Sequence, residues 1–273
     1  VIGEAAGFIS AAVHAPTSGT VKLVAAVATA AGPRATAITI VPDGEDTWVE
    51  GITPCPGWQT LDKKAIAEKI AAAGITGMGG AGFPTHVKVS PPPEAEIDTL
   101  ILNGAECEPY LTADYRLMIE HAARIWEGAL IIAKALEATT IRVAIEDNKP
   151  QAIAAMQDAI PAEAKDAQVV VLKTEYPQGA EKQQIFAITG REVPCGGLPL
   201  NVGIVVENVG TTLAVWEAVV NGLPLTERVT TVTGGPIATP GNVKARLGTS
   251  YADLVEFCGG TSGTISKIIS GGP

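Results

Sequence analysis

Ile97-Asp98-Thr99-Leu100-Ile101-Leu102-Asn103-Gly104-Ala105-Glu106-Cys107-Glu108-Pro109-Tyr110 is the stretch that decides the fold. Its first half is a short, nearly unbroken apolar run, the pattern of a strand buried on both faces. The polar half, with Gly104 and Pro109, predicts a loop, and a long helix is expected beyond it over about 115–138. The same order recurs downstream. Strands are expected over 141–145, 169–172 and 203–206, and helices over about 150–160, 180–189 and 211–221. Pro150 suits the first position of its helix, where the missing N–H costs nothing. Upstream, a helix is expected over 61–73, with Thr60 as N-cap, Gly74 as C-cap, and Leu61, Ile66 and Ile70 on its buried side. This alternation predicts an α/β fold, a mostly parallel sheet covered by helices.

The pattern changes on both flanks. Residues 1–42 are rich in Val, Ala, Thr and Gly, with short strands expected over 21–24 and 37–41. Residues 43–58 have the composition of a linker. From Glu227 the chain predicts strands over 228–233 and 243–247 and a helix over 250–257 capped by Ser250, a small ββα module. The expected division is therefore 1–42, a linker at 43–58, the α/β domain at 59–224, the small module at 225–260 and a Gly/Ser/Thr-rich linker at 261–273.

Composition removes whole classes of function. The net charge of −10 argues against nucleic acid as a partner, since phosphates require a basic footprint. No run approaches the roughly 18 apolar residues of a spanning helix, so no transmembrane segment is expected. Cys55, Cys107, Cys195 and Cys258 are too widely spaced for a zinc or iron–sulfur run and are expected as reduced thiols in a cytosolic setting; no metal ligands are assigned in this segment. His14, His86 and His121 show no metal or triad spacing, and no Gly-x-Ser-x-Gly elbow is present. Val1 in place of Met suggests a piece of a longer parent. Glycine, at 30 of 273 residues, exceeds its usual share of about 7%, so close backbone approach is needed somewhere.

Gly77-Met78-Gly79-Gly80-Ala81-Gly82-Phe83-Pro84-Thr85 supplies part of that excess. Clustered glycines let backbone N–H groups approach a phosphate or a flat ring. The run follows a helix instead of a strand and lacks a Gly-Lys-Ser/Thr ending, so neither common phosphate loop fits. Lys88 stands just beyond it. Three further Gly-bearing loops, at 103–110, 176–182 and 207–212, each follow an expected strand, where α/β sheets bind ligands. Four such loops facing one crevice suggest a cofactor site. Their amide and carboxylate side chains suit ribityl or ribose hydroxyls or a nicotinamide amide.

The glycine run with Lys88 resembles the FMN/NADH loop of the complex I flavoprotein subunit family, and Asn103-Gly104-Ala105-Glu106-Cys107-Glu108-Pro109 resembles its second loop. The resemblance is nearer to the RnfC family of ion-translocating ferredoxin:NAD oxidoreductases. It is carried also by Gly7-Phe8-Ile9-Ser10, Val13-His14-Ala15, Ile145-Glu146-Asp147-Asn148-Lys149-Pro150 and Gly190-Arg191-Glu192-Val193-Pro194. It implies a partial barrel-sandwich over 1–42 similar to biotinyl/lipoyl domains but without an attachment site, a flavin domain over 59–224, and a β-grasp-like SLBB module over 225–260. It implies that Gly77, Gly79, Gly80, Lys88, Asn103, Glu106, Tyr176, Gly179, Asn208 and Thr211 hold FMN, and that Phe83, Glu108 and Glu181 meet NADH. Hydride transfer then lies between the cofactors, and no catalytic side chain is assigned.

The same resemblance implies two [4Fe–4S] clusters beyond Pro273, other Rnf subunits as partners with ferredoxin reached indirectly, and a peripheral place on the cytoplasmic face of the bacterial inner membrane. Met78 stands where the complex I flavoprotein carries arginine; Ala105 and Ala180 stand where it carries acidic residues. Competing readings are a related NADH-dependent cobalamin reductase-type flavoprotein and a flavin-free docking subunit.

Overall fold

The computed structural model describes residues 1–29 and 32–271. The expected segments 1–42 and 261–273 each extend over residues outside this set. Strands β1 (Gly19–Thr29) and β2 (Gly32–Pro42) form an antiparallel pair, longer than the expected runs. Gly19 is required there: a Cβ would lie 2.1 Å from the Val41 carbonyl oxygen, with φ at +149°. Val21, Leu23, Val24 and Val41 on this pair are exposed.

The α/β part contains α1 (Lys63–Ala72), α2 (Thr85–Lys88), β3 (Thr99–Asn103), α3 (Ala113–Glu120), α4 (Ala122–Leu136), β4 (Thr140–Glu146), α5 (Pro150–Asp158), β5 (Ala167–Leu172), α6 (Glu181–Thr189), β6 (Ile204–Asn208) and α7 (Val209–Trp216). Its four strands are all parallel, in the order β5-β4-β3-β6. The chain runs outward from β3 to β5, then returns to place β6 on the other side of β3. The crevice between β3 and β6 is therefore the switch point of the sheet. One face, with Leu100, Leu102, Val143 and Val205, packs against Ile66 and Ile70 of α1, Ile125 and Trp126 of α4, and Leu213 of α7. The other face, with Ile101, Ala144, Ile204 and Val206, is covered by Ile185 of α6.

Local capping departs from the sequence expectation in two places. Helix α1 is capped by Asp62, whose carboxylate accepts from the Ala65 N–H at 2.8 Å. Thr60 instead lies in a turn, donating its hydroxyl to the Gly57 carbonyl. The single helix expected over 115–138 is broken at His121, whose backbone (φ −131°, ψ 25°) closes α3 and opens α4. Apolar periodicity continues across the break through Met118, Ile125 and Trp126, so the pattern alone carries no sign of it. Ser250 does cap the last helix, accepting from the Asp253 N–H at 3.1 Å.

Two side chains tie the layers together. Glu127 accepts from the indole N–H of Trp58 at 2.9 Å and of Trp216 at 2.6 Å. Trp126, fully buried, donates to the Met156 carbonyl at 2.8 Å. After α7 comes one wide helical turn (Glu217–Asn221), then the antiparallel hairpin β7 (Glu227–Val232) and β8 (Gly241–Arg246) and helix α8 (Tyr251–Phe257). No helix among the described residues is long and apolar enough to cross a membrane.

Candidate cofactor site at the β3/β6 switch point

Asn103 and Asn208 end β3 and β6 and face each other in register. β3 turns polar at Asn103, its last residue, and β6 at Glu207, one residue before Asn208. Each asparagine then organises loops that the chain places far apart.

Asn103 joins the second and third loops. Its Nδ2 donates to the Gly179 carbonyl at 2.9 Å, while its Oδ1 accepts from the Ala105 N–H at 3.1 Å and Gln184 Nε2 at 2.7 Å. Gly179 also donates its N–H to Cys107 Sγ at 3.3 Å. A Cβ on Gly179 would lie 2.8 Å from the Ala105 carbonyl oxygen, so only glycine fits this closure.

Asn208 joins the fourth loop to the glycine-rich one. Its Oδ1 caps α7, accepting from Gly210 N–H at 2.8 Å and Thr211 N–H at 3.1 Å, and its Nδ2 donates to Asp114 Oδ2 at 2.7 Å. The Met78 N–H donates to Thr211 Oγ1 at 2.9 Å. Gly79 lies so close that a Cβ there would sit 3.0 Å from Asn208 Cβ and Nδ2. The neck of the loop is closed by the Gly77 N–H donating to the Phe83 carbonyl at 2.8 Å, and Gly80 faces open space.

Lys88 crosses from the glycine run to α6. Its ammonium donates to the Val206 carbonyl at 2.5 Å and to Glu181 Oε1 at 3.3 Å. The glycine-rich run and the three loops that follow strands are thus brought together at one end of the sheet. Phe83, Glu108 and Tyr176 are set differently: Glu108 is half-buried, and the two rings are exposed by 38% and 63%.

Glu106 is buried, and both its oxygens accept from backbone at the start of α3, the N–H groups of Asp114 at 3.0 Å and Tyr115 at 3.3 Å. Burial, and then the nearby Asp114 carboxylate, push its pKa up to about 7. Burial is the main cause that raises Asp114, against the opposing hydrogen bond from Asn208. Burial raises Glu207 to about 6, partly offset by Lys88. Raised carboxylates bind protons more tightly in the folded state. Their contribution to stability is complete below the unfolded pKa, near 4.5, and is lost as pH rises through about 6 to 7. The cofactor-free protein is therefore expected to be more stable at pH 5 than at pH 8, by of the order of 2 kcal/mol. Glu106→Gln should flatten that slope. Urea midpoints at the two pH values check it, and identical slopes in variant and parent would refute it.

Asp114, Gln184 and Arg228 also belong to this constellation, and sequence reasoning does not single them out; Glu207 opens the fourth loop but is given no role of its own there. Gln184 lies one turn beyond Glu181 on α6, so helical spacing could have found it. Arg228 comes from β7 and donates to the Met78 carbonyl. Nothing in the sequence pattern links it to the loop.

The fit of a flavin can be judged on these residues. Gln184 Oε1 and Glu207 Oε2 are buried without hydrogen-bond partners. Unpaired buried oxygens are costly, and in native sites they commonly meet a ligand or water. Gly80, in the loop that Asn208 abuts at Gly79, faces open space, and Lys88 supplies a cation. These groups fit a phosphorylated, hydrogen-bonding planar ligand.

Comparison with known proteins agrees with this geometry. Residues 70–217 match the family model of the Nuo51 FMN-binding domain, residues 1–45 that of the RnfC barrel sandwich hybrid domain, and residues 229–273 that of the SLBB domain. The chain is 50% identical, over its full length, to the C subunit of the proton-translocating ferredoxin:NAD(+) oxidoreductase complex of Clostridium ljungdahlii, covering 59% of that protein. It is 44% identical to the Na(+)-translocating counterpart of Acetobacterium woodii, covering all of this chain and 61% of that protein. It thus spans about six-tenths of the length of these relatives. Among solved structures, an NAD+-reducing [NiFe]-hydrogenase in the H2-reduced state superposes with a TM-score of 0.61 at 26% identity, over 74% of this chain and 41% of that one. With a sheet whose switch point gathers the glycine-rich loop, both asparagines and Lys88, and with more than half its length matched, the chain belongs to the Nuo51 FMN-binding domain family.

Proposed function

We propose that this chain is the FMN-bearing, NAD(H)-handling portion of the RnfC protein of an Rnf complex, an ion-translocating ferredoxin:NAD oxidoreductase. The observation that carries the reading is the in-register pair Asn103 and Asn208, which fastens four loops around one crevice at the switch point. The full-length identity to proteins named for that complex supports the assignment.

In this reading Gly77, Gly79, Gly80, Lys88, Asn103, Glu106, Tyr176, Gly179, Asn208 and Thr211 form the flavin site, and Phe83, Glu108 and Glu181 form the nucleotide side. FMN, when bound, supplies the hydride chemistry with NAD(H) and one-electron exchange with iron–sulfur clusters of the longer protein. The chain supplies positioning and field. The Asn103–Gly179 and Met78–Thr211 bonds hold the loops at fixed separation. Lys88, facing Glu181 and Glu207, keeps positive charge where negative charge develops, which favours the reduced cofactor. Glu106 spends both oxygens on α3 and so acts by fixing the wall of the crevice, through Asp114, behind Asn208. The protein acts peripherally on the cytoplasmic face of the membrane, alongside the membrane-embedded and iron–sulfur subunits.

After the full-length protein is mixed with FMN and unbound FMN is removed by gel filtration, the protein should keep a flavin band at ~450 nm that bleaches with NADH. Absence of both would end this reading. Lys88→Ala should weaken FMN binding about tenfold, the loss of one charge-assisted contact. His121→Ala, at the α3/α4 junction, should leave binding unchanged.

A further inference from the structure

The β7–β8 hairpin touches both loops that frame the crevice. Arg228 on β7 donates through its guanidinium to the Met78 carbonyl, in the glycine-rich loop. On the same strand, Thr231 Oγ1 accepts from the Thr112 N–H at 3.1 Å. From β8, Asn242 Oδ1 accepts from Thr112 Oγ1 at 3.1 Å and Thr231 Oγ1 at 2.8 Å, and Asn242 Nδ2 donates to the Thr112 carbonyl at 3.1 Å. Thr112 directly precedes α3, at the end of the loop that carries Glu106.

The peptide groups of Met78 are held from two directions. Thr211, in the first turn of α7, takes the N–H at 2.9 Å; Arg228 takes the C=O. A run with four glycines among six residues has many backbone states, and ordering it costs conformational entropy. Two fixed partners on neighbouring peptides remove most of those states. The Arg228 bond is charge-assisted and is the stronger kind of anchor. The Arg228 charge also reaches Asp114, which holds the Asn208 amide against Gly79.

We propose that Arg228 is a positioning residue of the flavin site. Through the Met78 carbonyl the hairpin sets the glycine-rich loop in its binding geometry, so hairpin docking and FMN binding form one linked equilibrium. This rests on the reading of the crevice as an FMN site. Linkage is reciprocal, so whatever the docked hairpin adds to FMN affinity, bound FMN must add to hairpin docking.

The test uses the full-length protein and FMN itself. Arg228→Ala should raise the FMN dissociation constant about tenfold, read by quenching of flavin fluorescence. Arg228→Lys, which can still donate to the carbonyl, should recover part of the loss. In the parent protein, saturating FMN should slow amide hydrogen exchange across β7 and β8; in Arg228→Ala it should not. An FMN affinity in Arg228→Ala within twofold of the parent overturns the proposal and leaves the flavin reading standing. A parent that binds no FMN overturns both. If Arg228→Ala lowers the melting temperature by more than a few degrees, the exchange measurement on the parent decides, and hairpin exchange indifferent to FMN overturns the proposal.

Discussion

Gly128→Val is expected to cost at least ~3 kcal/mol, a large share of the stability of an ordinary domain. Gly128 lies on α4 where that helix crosses α7. A Cβ there would stand 2.3 Å from the Thr212 carbonyl oxygen and 3.0 Å from Thr212 Cγ2. The first obstacle is backbone, which cannot rotate away, so the two helices must separate. Both are buried along most of their length, and separation opens the main core around Ile125, Ala129 and Leu213. The damage reaches the cofactor crevice directly, because Thr212 Oγ1 donates to the Asn208 carbonyl at 2.9 Å. Urea denaturation of variant and parent measures it. A midpoint unchanged by the substitution would show that α4 and α7 do not pack as described.

The α/β alternation is legible because β3 and β6 each carry a short apolar run and end in a polar residue. Asn103 and Asn208 are those ending residues; their position after strands suggests a ligand crevice, and the family resemblance makes them candidates for holding the cofactor. Their pairing was not legible. It depends on β6 returning beside β3, a strand order that no local pattern encodes. Boundaries failed where two residues could do the same job. Thr60 and Asp62 are both good caps, and the choice falls to the one whose oxygen reaches an N–H of the first turn, Ala65. The break at His121 was hidden by continuous apolar spacing. Arg228 was invisible for a different reason: its part depends on how the hairpin docks against the α/β domain.

Glu106 shows the limit of residue type as a guide. A glutamate in a loop after a strand suits ribityl hydroxyls, and the family resemblance makes it a cofactor residue. Here its oxygens are occupied by two backbone N–H groups of α3, while Gln184 and Glu207 retain free buried oxygens. Hydrogen bonds known only from coordinates separate the carboxylate already bonded to α3 from the side chains that keep an unpaired buried oxygen.

Gly79→Val is expected to abolish FMN binding, at least a hundredfold, while the protein stays folded. The new Cβ would meet Asn208 Cβ and Nδ2 at 3.0 Å and Cγ at 3.1 Å. Asn208 cannot yield cheaply. Its Oδ1 holds the first turn of α7 and its Nδ2 holds the buried Asp114, so moving it uncaps a helix and strands a carboxylate. The glycine-rich loop is therefore expected to shift instead, away from Asn208. Because residue 79 is exposed, that movement costs little stability and the melting temperature should change by only a few degrees. Gly80→Ala provides the contrast one residue on: its Cβ would meet nothing within 4 Å, so the loop keeps its shape. Loss of FMN affinity in Gly80→Ala with an unchanged melting temperature would then place the ligand itself against residue 80. FMN titrations followed by flavin fluorescence resolve the pair. Parent-like affinity in Gly79→Val would mean that the contact between the glycine-rich loop and Asn208 does not shape the site.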